Sequence, residues 1–220
     1  HDVFTRSSCA STDAGYYFHR SETSTLIVGN YFVCTSMEDG SLYCWGYGAY
    51  GQLGTANTDD RDVPTEVGGS TWTSGESATE VSTGDSHTCA IMDDGKMECW
   101  GNGAQGQLGQ NNLYDYYSPQ SVVTQFHSGQ LPDDYVATSI ATGSQHTCLT
   151  IDHLTNPGLS GRAYCWGANT YGQLGNDHPT NWGNDYREIV PHLVQLPSNS
   201  ASQITAGSGH TCALMTNGSV

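Results

Sequence analysis

An internal repeat constrains the fold of this chain more than any other feature of its sequence. Two copies align without a gap, namely GNYFVCTSMEDGSLYCWGYGAYGQLG at residues 29–54 and GDSHTCAIMDDGKMECWGNGAQGQLG at residues 84–109. A third copy at residues 143–175 carries an insertion, and residues 207–220 hold the beginning of a fourth. A single repeat of this kind does not bury a hydrophobic core by itself, so the copies are expected to stack on one another.

Each copy has the pattern of a β-hairpin. An alternating segment runs through the first cysteine, a turn containing Asp-Gly follows, and a second segment carries the next cysteine and Trp-Gly. Glycine at Gly40 or Gly95 provides the positive φ that such a turn requires. The pattern predicts an all-β fold.

The cysteines predict a disulfide framework. The chain has eight, an even number, and none lies in the C-x-x-C spacing that would indicate a zinc site. In a hairpin with a three-residue turn, Cys89 and Cys99 lie directly opposite each other, a separation that suits a disulfide best in a non-hydrogen-bonded pair. The predicted disulfides are Cys34–Cys44, Cys89–Cys99 and Cys148–Cys165, which leaves Cys9 and Cys212.

Four motifs recur in a fixed order: Gly-x-x-His-Thr-Cys, an Asp-Gly turn, Cys-Trp-Gly and Gly-x-x-Gly-Gln-Leu-Gly. In these motifs the chain resembles the repeats of the regulator of chromosome condensation family. The resemblance implies a β-propeller with four-stranded antiparallel blades, of which about three and a half are present. The expected divisions are an N-terminal strand or extension at residues 1–21 and repeats at residues 22–76, 77–135, 136–199 and 200–220.

The last copy contains Cys212 but neither a second cysteine nor Trp-Gly. The fourth blade is therefore expected to be incomplete or to be completed by another chain. Because Cys9 is the one cysteine left for Cys212, the segment around Cys9 is expected to complete the last hairpin, in the same chain or in a neighbouring copy. Two copies would then close one ring, or a head-to-tail contact would propagate as a filament.

Histidine and tryptophan also recur at fixed positions. Recurrence at the same place in a repeat predicts a structural role more often than a ligand site. We expect hydrogen bonding from the histidines and packing between blades from the tryptophans. The residues concerned are His87, His146, His210, Trp45, Trp100 and Trp166.

The charge of the chain excludes one class of partner. Six Lys and Arg face 22 Asp and Glu, a net charge of −16, which repels a phosphate backbone, so no nucleic-acid partner is expected.

No run of 18 apolar residues occurs, so no membrane insertion is expected. The chain begins with His1 and shows no basic-then-apolar leader, which is typical of a mature or partial chain. Together with the cysteines, this predicts an extracellular location, secreted or at the cell surface.

The stretches between the motifs are rich in aromatic residues. Aromatic loops on a rigid scaffold are typical of a recognition surface. The alternative interpretation is that they only cover the edges of the blades. The candidate binding residues are Trp72, Tyr114, Tyr116, Tyr117, Trp182 and Tyr186.

Two further sites are weaker predictions. Asp59, Asp60 and Asp62 form an oxygen-rich loop that could bind a calcium ion, although a solvated acidic loop is the favoured interpretation. Asn217 begins an Asn-Gly-Ser sequon, a glycosylation site if the chain is secreted by a eukaryote. No resident cofactor or metal is expected beyond this calcium candidate.

The resemblance leaves function open, because members of the family exchange guanine nucleotides, sense UV-B light or inhibit a β-lactamase. No residues with the arrangement of a catalytic site are recognised, so we expect no enzymatic activity. The leading prediction is an extracellular protein-interaction or structural module that binds protein partners or assembles with itself. The alternative is a secreted monomeric propeller that binds a ligand or inhibits an enzyme, and an enzyme on a propeller scaffold comes third.

Overall fold

The structure is a computed structural model that describes residues 23–68, 77–123, 134–177, 187–197 and 200–220. Within these ranges the chain forms β-strands and one short 3-10 helix, Pro157–Leu159, which lies in the insertion of the third copy. The all-β prediction is confirmed. No helix in the described ranges is long and apolar enough to cross a membrane.

Three four-stranded antiparallel sheets follow one another along the chain. The first contains β1 (Thr23–Val28), β2 (Phe32–Met37), β3 (Leu42–Gly46) and β4 (Arg61–Glu66). The second contains β5 (Ala78–Thr83), β6 (His87–Met92), β7 (Met97–Gly101) and β8 (Tyr116–Ser121). The third contains β9 (Tyr135–Thr142), β10 (His146–His153), β11 (Arg162–Ala168) and β12 (Arg187–Leu193). A hairpin of β13 (Ala201–Ala206) and β14 (Thr211–Met215) follows.

The sheets are arranged as blades of a propeller. In each, the strands are paired in chain order, and the first strands of neighbouring blades contact one another. Between β5 and β9 the backbone N–H of Ile140 donates to Glu80 Oε1 at 3.2 Å, and the hydroxyl oxygens of Ser82 and Thr142 lie 2.8 Å apart. The first strands are therefore innermost and the fourth strands outermost. The described residues form about three blades and half of another, and they do not close into a ring.

The hairpin register brings the cysteines together. Cys34 lies opposite Cys44, Cys89 opposite Cys99 and Cys148 opposite Cys165. The structure contains these three disulfides, with a Cα–Cα distance of 4.1 Å in each. This distance is close to that of a non-hydrogen-bonded pair, as the hairpin geometry predicts.

The hydrophobic core lies between the blades. One cluster joins Leu42 and Leu53 of the first blade to Ala90 and Trp100 of the second. A second cluster joins the second blade to the third in the same way, and a third joins the third blade to β13. Each blade therefore buries its faces against its neighbours, which is the behaviour expected of a stacked repeat.

The last hairpin has an edge that no strand of the described ranges covers. Among the described strands β14 pairs with β13 alone, and Cys212 on β14 is exposed. Over the described ranges it is the one cysteine that forms no disulfide. Its predicted partner, Cys9, lies outside those ranges, so the Cys9–Cys212 pair stays a prediction.

Candidate functional site

A histidine in the second blade and another in the third each contact a threonine in the following blade. His87 Nε2 lies 2.9 Å from the hydroxyl oxygen of Thr147, and His146 Nε2 lies 2.9 Å from that of Thr211. Both histidines are completely buried. The recurring Gly-x-x-His-Thr-Cys motif thus joins two copies of the repeat.

A glutamine carbonyl accepts two hydrogen bonds across the same junction. The carbonyl oxygen of Gln52 accepts from the Thr88 hydroxyl at 2.9 Å and from Trp100 Nε1 at 3.0 Å. Gln107 accepts equivalent bonds from Thr147 and Trp166, at 2.9 and 2.8 Å. The recurring Gly-Gln-Leu-Gly segment is therefore the acceptor for the following blade.

The glutamine side chains stabilise these acceptor loops from within. The side-chain oxygen of Gln52 accepts from the backbone N–H of Tyr50 at 3.0 Å. Gln107 and Gln173 make the same bond to the residue two positions earlier, at 2.8 and 2.9 Å. Because the side chain closes the turn, the carbonyl of the same residue is held toward the neighbouring blade.

The hydrogen bonds also fix the protonation of the histidines. The single hydroxyl proton of Thr147 is donated to Gln107, so the Thr147 oxygen accepts and His87 Nε2 carries the donated proton. Burial lowers the pKa of His87 to about 3 and that of His146 to about 4. Both imidazoles are therefore neutral near pH 7, and their role in the fold is that of hydrogen-bond donors.

The third junction is only partly occupied. The carbonyl of Gln173 accepts from the Thr211 hydroxyl at 2.8 Å, but within the described part of the chain no indole N–H reaches it. Beside it lies a cavity of about 230 Å³ lined by Leu174, Gly175, Val194, Leu196, Ile204 and Thr211, among others. At the other junctions the corresponding Gly54 and Gly109 lie against the indoles of Trp100 and Trp166.

The first blade departs from the pattern at two positions. Phe32 and Val33 stand where the other blades have histidine and threonine, and Phe32 is buried in the core cluster shared with the second blade. Val33 has no hydroxyl to accept a bond from an imidazole or to donate one to a glutamine carbonyl. Trp45 is only half-buried, whereas Trp100 and Trp166 are completely buried.

The predicted aromatic loop residues occupy different surroundings. Tyr114 is exposed, and Tyr116 is half-buried against the core of the second and third blades. Tyr117 is partly exposed, and its carbonyl accepts from the N–H of Ala56 in the preceding blade at 2.8 Å. Tyr117 thus packs at a blade edge, as in the alternative interpretation. Trp72, Trp182 and Tyr186 lie outside the described residues, and ligand binding by the described tyrosines stays a prediction.

The acidic loop serves the fold in part. Asp60 Oδ1 accepts from the N–H of Gly48 at 2.8 Å, and Asp115 makes the same bond to Gly103 in the second blade. Asp59 lies 3.7 Å from the guanidinium of Arg61. Across the described ranges no three acidic, cysteine or histidine side chains converge as metal ligands. Asp62 is exposed in the same loop.

The sequon lies at a hairpin tip. Asn217 is exposed after β14, and its side-chain oxygen accepts from the N–H and the hydroxyl of Ser219 at 2.9 and 2.7 Å. Asp94 makes the corresponding backbone bond to Lys96 in the second blade. Asn217 therefore has a turn-forming role shared with other copies, and its glycosylation stays a prediction.

Three exposed tyrosines escaped the sequence analysis. The rings of Tyr31 and Tyr47 lie 6.5 Å apart at 78°, and those of Tyr47 and Tyr50 lie 6.4 Å apart at 73°. We call these three residues the tyrosine triad. The only sequence signal is that they interrupt the repeat, because the aligned positions of the second blade hold Ser86, Asn102 and Gln105.

The comparison with known families explains why the same contacts recur between neighbouring blades. The regulator of chromosome condensation (RCC1) repeat matches residues 39–91, 94–150 and 160–214. The chain belongs to the RCC1 repeat family. Each RCC1 repeat contributes the third and fourth strands of one blade and the first two of the next, so every repeat spans a junction. The third repeat accordingly finishes with the β13–β14 hairpin.

Relatives with RCC1 repeats are much longer than this chain. The chain is 34% identical over 179 residues to the ultraviolet-B receptor UVR8 of Arabidopsis thaliana, covering 80% of the chain and 35% of UVR8. It is 27% identical over 193 residues to the human E3 ubiquitin-protein ligase HERC2, covering 86% of the chain and 4% of that protein. The chain thus spans about a third of UVR8 and a small part of HERC2.

Solved structures share the RCC1 fold. Human WBSCR16 matches with a TM-score of 0.54 at 17% identity, over 91% of this chain and 60% of that one. The ectodomain of the Physcomitrella patens receptor kinase CR4 matches with a TM-score of 0.50 at 21% identity, over 90% of this chain and 40% of that one. At these identities the likeness shows the fold alone.

Proposed function

We propose that this RCC1-repeat chain is an extracellular protein-interaction module that assembles by accepting an extended strand at the edge of β14. RCC1 repeats of this kind form a protein-interaction scaffold. The proposal adds where the partner binds and in which environment. It assigns no catalytic step to the chain.

The open junction at Gln173 carries the proposal. Two junctions of identical design hold Trp100 and Trp166, each donating its indole N–H to a glutamine carbonyl. The third has the acceptor, the cavity and, beside them, a strand edge to which no other described strand is paired. Strand addition satisfies the edge through backbone hydrogen bonds, and the side chains of the added strand provide the specificity.

The repeat register defines the strand that fits. The fitting strand would pair antiparallel with β14 and have the sequence pattern of β7. Such a strand would place a cysteine opposite Cys212, as Cys99 lies opposite Cys89. The next residue would be a tryptophan that enters the cavity. Cys9 is followed by Ala10 and Ser11, so its segment would supply the disulfide but not the indole.

The disulfides support an oxidising environment. Each of the three blades has a buried disulfide between its second and third strands, and such bonds persist mainly outside the cytosol. The exposed Cys212 is then available for a disulfide with the incoming strand. The three disulfides thus support the extracellular or cell-surface location that we propose.

A peptide of the chain itself tests the proposal. The peptide KMECWGNG, residues 96–103, carries the Cys-Trp-Gly of β7 and is added in a buffer of reduced and oxidised glutathione, in which the oxidised form is reduced as the new disulfide forms. We expect a disulfide between the peptide and Cys212, detected by mass spectrometry after proteolysis. The matched peptide with Trp100→Ala should form far less of it at equal concentration, because the cavity stays empty.

Two results would overturn the proposal. One is equal disulfide formation by the wild-type and W100A peptides, which would mean that Cys212 reacts without strand docking. The other is a compact monomer in light scattering and electron microscopy under non-reducing conditions, with no binding of a Cys99→Ser peptide at any concentration. The latter would favour the secreted monomeric ligand binder.

A further inference from the structure

The tyrosine triad forms an exposed aromatic surface on the first blade. Tyr31 is 74% exposed, Tyr47 is 40% exposed and Tyr50 is 38% exposed. Adjacent rings stand nearly perpendicular, at 78° and 73°, with centroids 6.4 to 6.5 Å apart. Perpendicular rings at this spacing present both a ring face and a ring edge toward the space beside them.

The backbone holds the triad in place. Tyr31 lies in the turn between β1 and β2, and the N–H of Tyr47 donates to its carbonyl at 2.9 Å. The N–H of Tyr50 donates to the side chain of the buried Gln52 at 3.0 Å. The rings therefore project from fixed backbone positions.

The fold does not require these tyrosines. In the second blade the N–H of Asn102 donates to the carbonyl of Ser86 at 2.9 Å, and in the third Ala168 donates to Gln145 at 2.8 Å. The same backbone frame thus forms with small or polar side chains at the positions aligned with Tyr31 and Tyr47, and the position of Tyr50 holds Gln105 in the second blade. Solvent-exposed aromatic rings that the scaffold does not need are typical of a binding surface.

The charge around the triad selects the occupant. The carboxylate of Asp60 is bonded to Gly48, the residue directly after Tyr47, and Asp59 and Asp62 are exposed in the same loop. Arg61 is the one basic residue of that loop, and the chain as a whole carries a net charge of −16. The negative ring faces of tyrosine attract cations, and nearby carboxylates strengthen that attraction.

We propose that the tyrosine triad binds a cationic side chain of a protein partner, the ammonium of a lysine or the guanidinium of an arginine. The cation lies against the ring faces, with the acidic loop at Asp59–Asp62 beside it. This site is on the first blade and is independent of the open junction at Gln173. Alkylated ammonium groups share the chemistry and are distinguished by the test.

Small probes test the proposal on the intact chain. Choline, N-acetyl-lysine methylamide and N-acetyl-arginine methylamide are titrated while the tyrosine ring signals are followed by NMR. We expect saturable shifts of the triad signals with the cations and none with 3,3-dimethylbutanol, the neutral isostere of choline. Tighter binding of choline would identify an alkylated ammonium as the preferred ligand.

Variants separate the triad from exposed tyrosines in general. Tyr47→Leu should weaken cation binding by about tenfold, whereas Tyr47→Phe should keep it within about threefold because the ring remains. Tyr171 is 81% exposed at the position of the third blade that aligns with Tyr50, so Tyr171→Leu is the matched control and should leave cation binding unchanged. Tyr31→Ala, on a turn, provides a second loss variant if Tyr47→Leu folds poorly.

Two outcomes would overturn the proposal. Equal binding of 3,3-dimethylbutanol would show that the triad is a hydrophobic surface without preference for charge. Equal loss of binding in Tyr171→Leu would show that the cation does not reside at the triad. Capture of the KMECWGNG peptide should be unchanged in the variants of Tyr31 and Tyr47, so failure of one proposal leaves the other standing. Tyr171 lines the cavity at Gln173, and its variant is therefore used for cation binding alone.

Discussion

His87 Nε2 lies 2.9 Å from the hydroxyl oxygen of Thr147, which belongs to the next blade and donates its own proton to Gln107. In these two consecutive hydrogen bonds the imidazole donates to the hydroxyl, and the hydroxyl donates to the carbonyl. All three residues are buried, so water cannot replace a missing partner. Each junction depends on the identity of the threonine.

Thr147→Val should destabilise the protein by about 2–3 kcal/mol, because it leaves a buried imidazole N–H without an acceptor and removes a donor from Gln107. Valine has nearly the shape of threonine, so the loss of the hydroxyl dominates. The free energy of unfolding is measured by urea denaturation followed by circular dichroism.

Thr88→Val is the matched control for this substitution. The hydroxyl of Thr88 donates to Gln52 at 2.9 Å, but the first blade has Phe32 in place of the histidine. Gln52 also keeps its bond from Trp100. We expect a cost of only about 1 kcal/mol, and equal costs for the two variants would contradict the role assigned to His87.

The buried histidines predict a loss of stability in acid. The unfolded chain has histidines with a pKa of about 6.5, whereas those of His87 and His146 are lowered to about 3 and about 4 in the fold. Between these values the unfolded state binds more protons. The contribution of the neutral histidines to the free energy of unfolding is therefore complete above pH 6.5 and is lost as the pH falls. The slope of this free energy against pH approaches about 1.4 kcal/mol per pH unit for each histidine.

His87→Gln isolates one of these contributions. Glutamine keeps an N–H for Thr147 but does not titrate, so the slope of stability against pH should fall by about 1.4 kcal/mol per pH unit below pH 6. Unfolding by urea at a series of pH values measures it. An unchanged slope would mean that His87 is not the buried neutral group described.

The sequence predicts the parts of the fold that arise within one hairpin. The opposition of Cys89 and Cys99 follows from a turn of known length and the period of a strand. The recurrence of Trp100 and Trp166 correctly predicts packing between blades. These features depend on local geometry or on repetition, and both can be recognised in one sequence.

Contacts between copies were not predictable in the same way. The partner of His87 is Thr147 in the following copy, and nothing in either motif identifies it as the acceptor. The tyrosine triad combines residues of two turns, and in the second and third blades only Tyr50 has an aligned tyrosine, Tyr171, so repetition obscures the triad. Its discovery requires the backbone bond that brings Tyr47 to Tyr31.

Removal of one hairpin disulfide should lower stability measurably. The double substitution Cys89→Ala with Cys99→Ala opens a loop with a sequence separation of 10 residues and should cost about 2–3 kcal/mol, chiefly by freeing the unfolded chain. The exposed Cys212→Ser serves as control and should change little in the isolated chain. Urea unfolding of both variants under non-reducing conditions measures the loss in free energy of unfolding. A loss in the double variant no greater than that in Cys212→Ser would contradict a stabilising role for the disulfide between β6 and β7.

Gly54→Ala should destabilise the junction between the first two blades. The φ of Gly54 is +68°, and a Cβ built there would lie 2.7 Å from the indole nitrogen of Trp100. Gly172 has a similar φ of +77° but nothing within 4 Å of such a Cβ, so Gly172→Ala has only the backbone cost of about 1–2 kcal/mol. We expect Gly54→Ala to cost about 1–3 kcal/mol more than Gly172→Ala, because the indole of Trp100 must shift away from the carbonyl of Gln52. Calorimetric unfolding of the two variants measures the difference, and equal costs would mean that Gly54 is needed for its backbone conformation alone and not for the approach of Trp100.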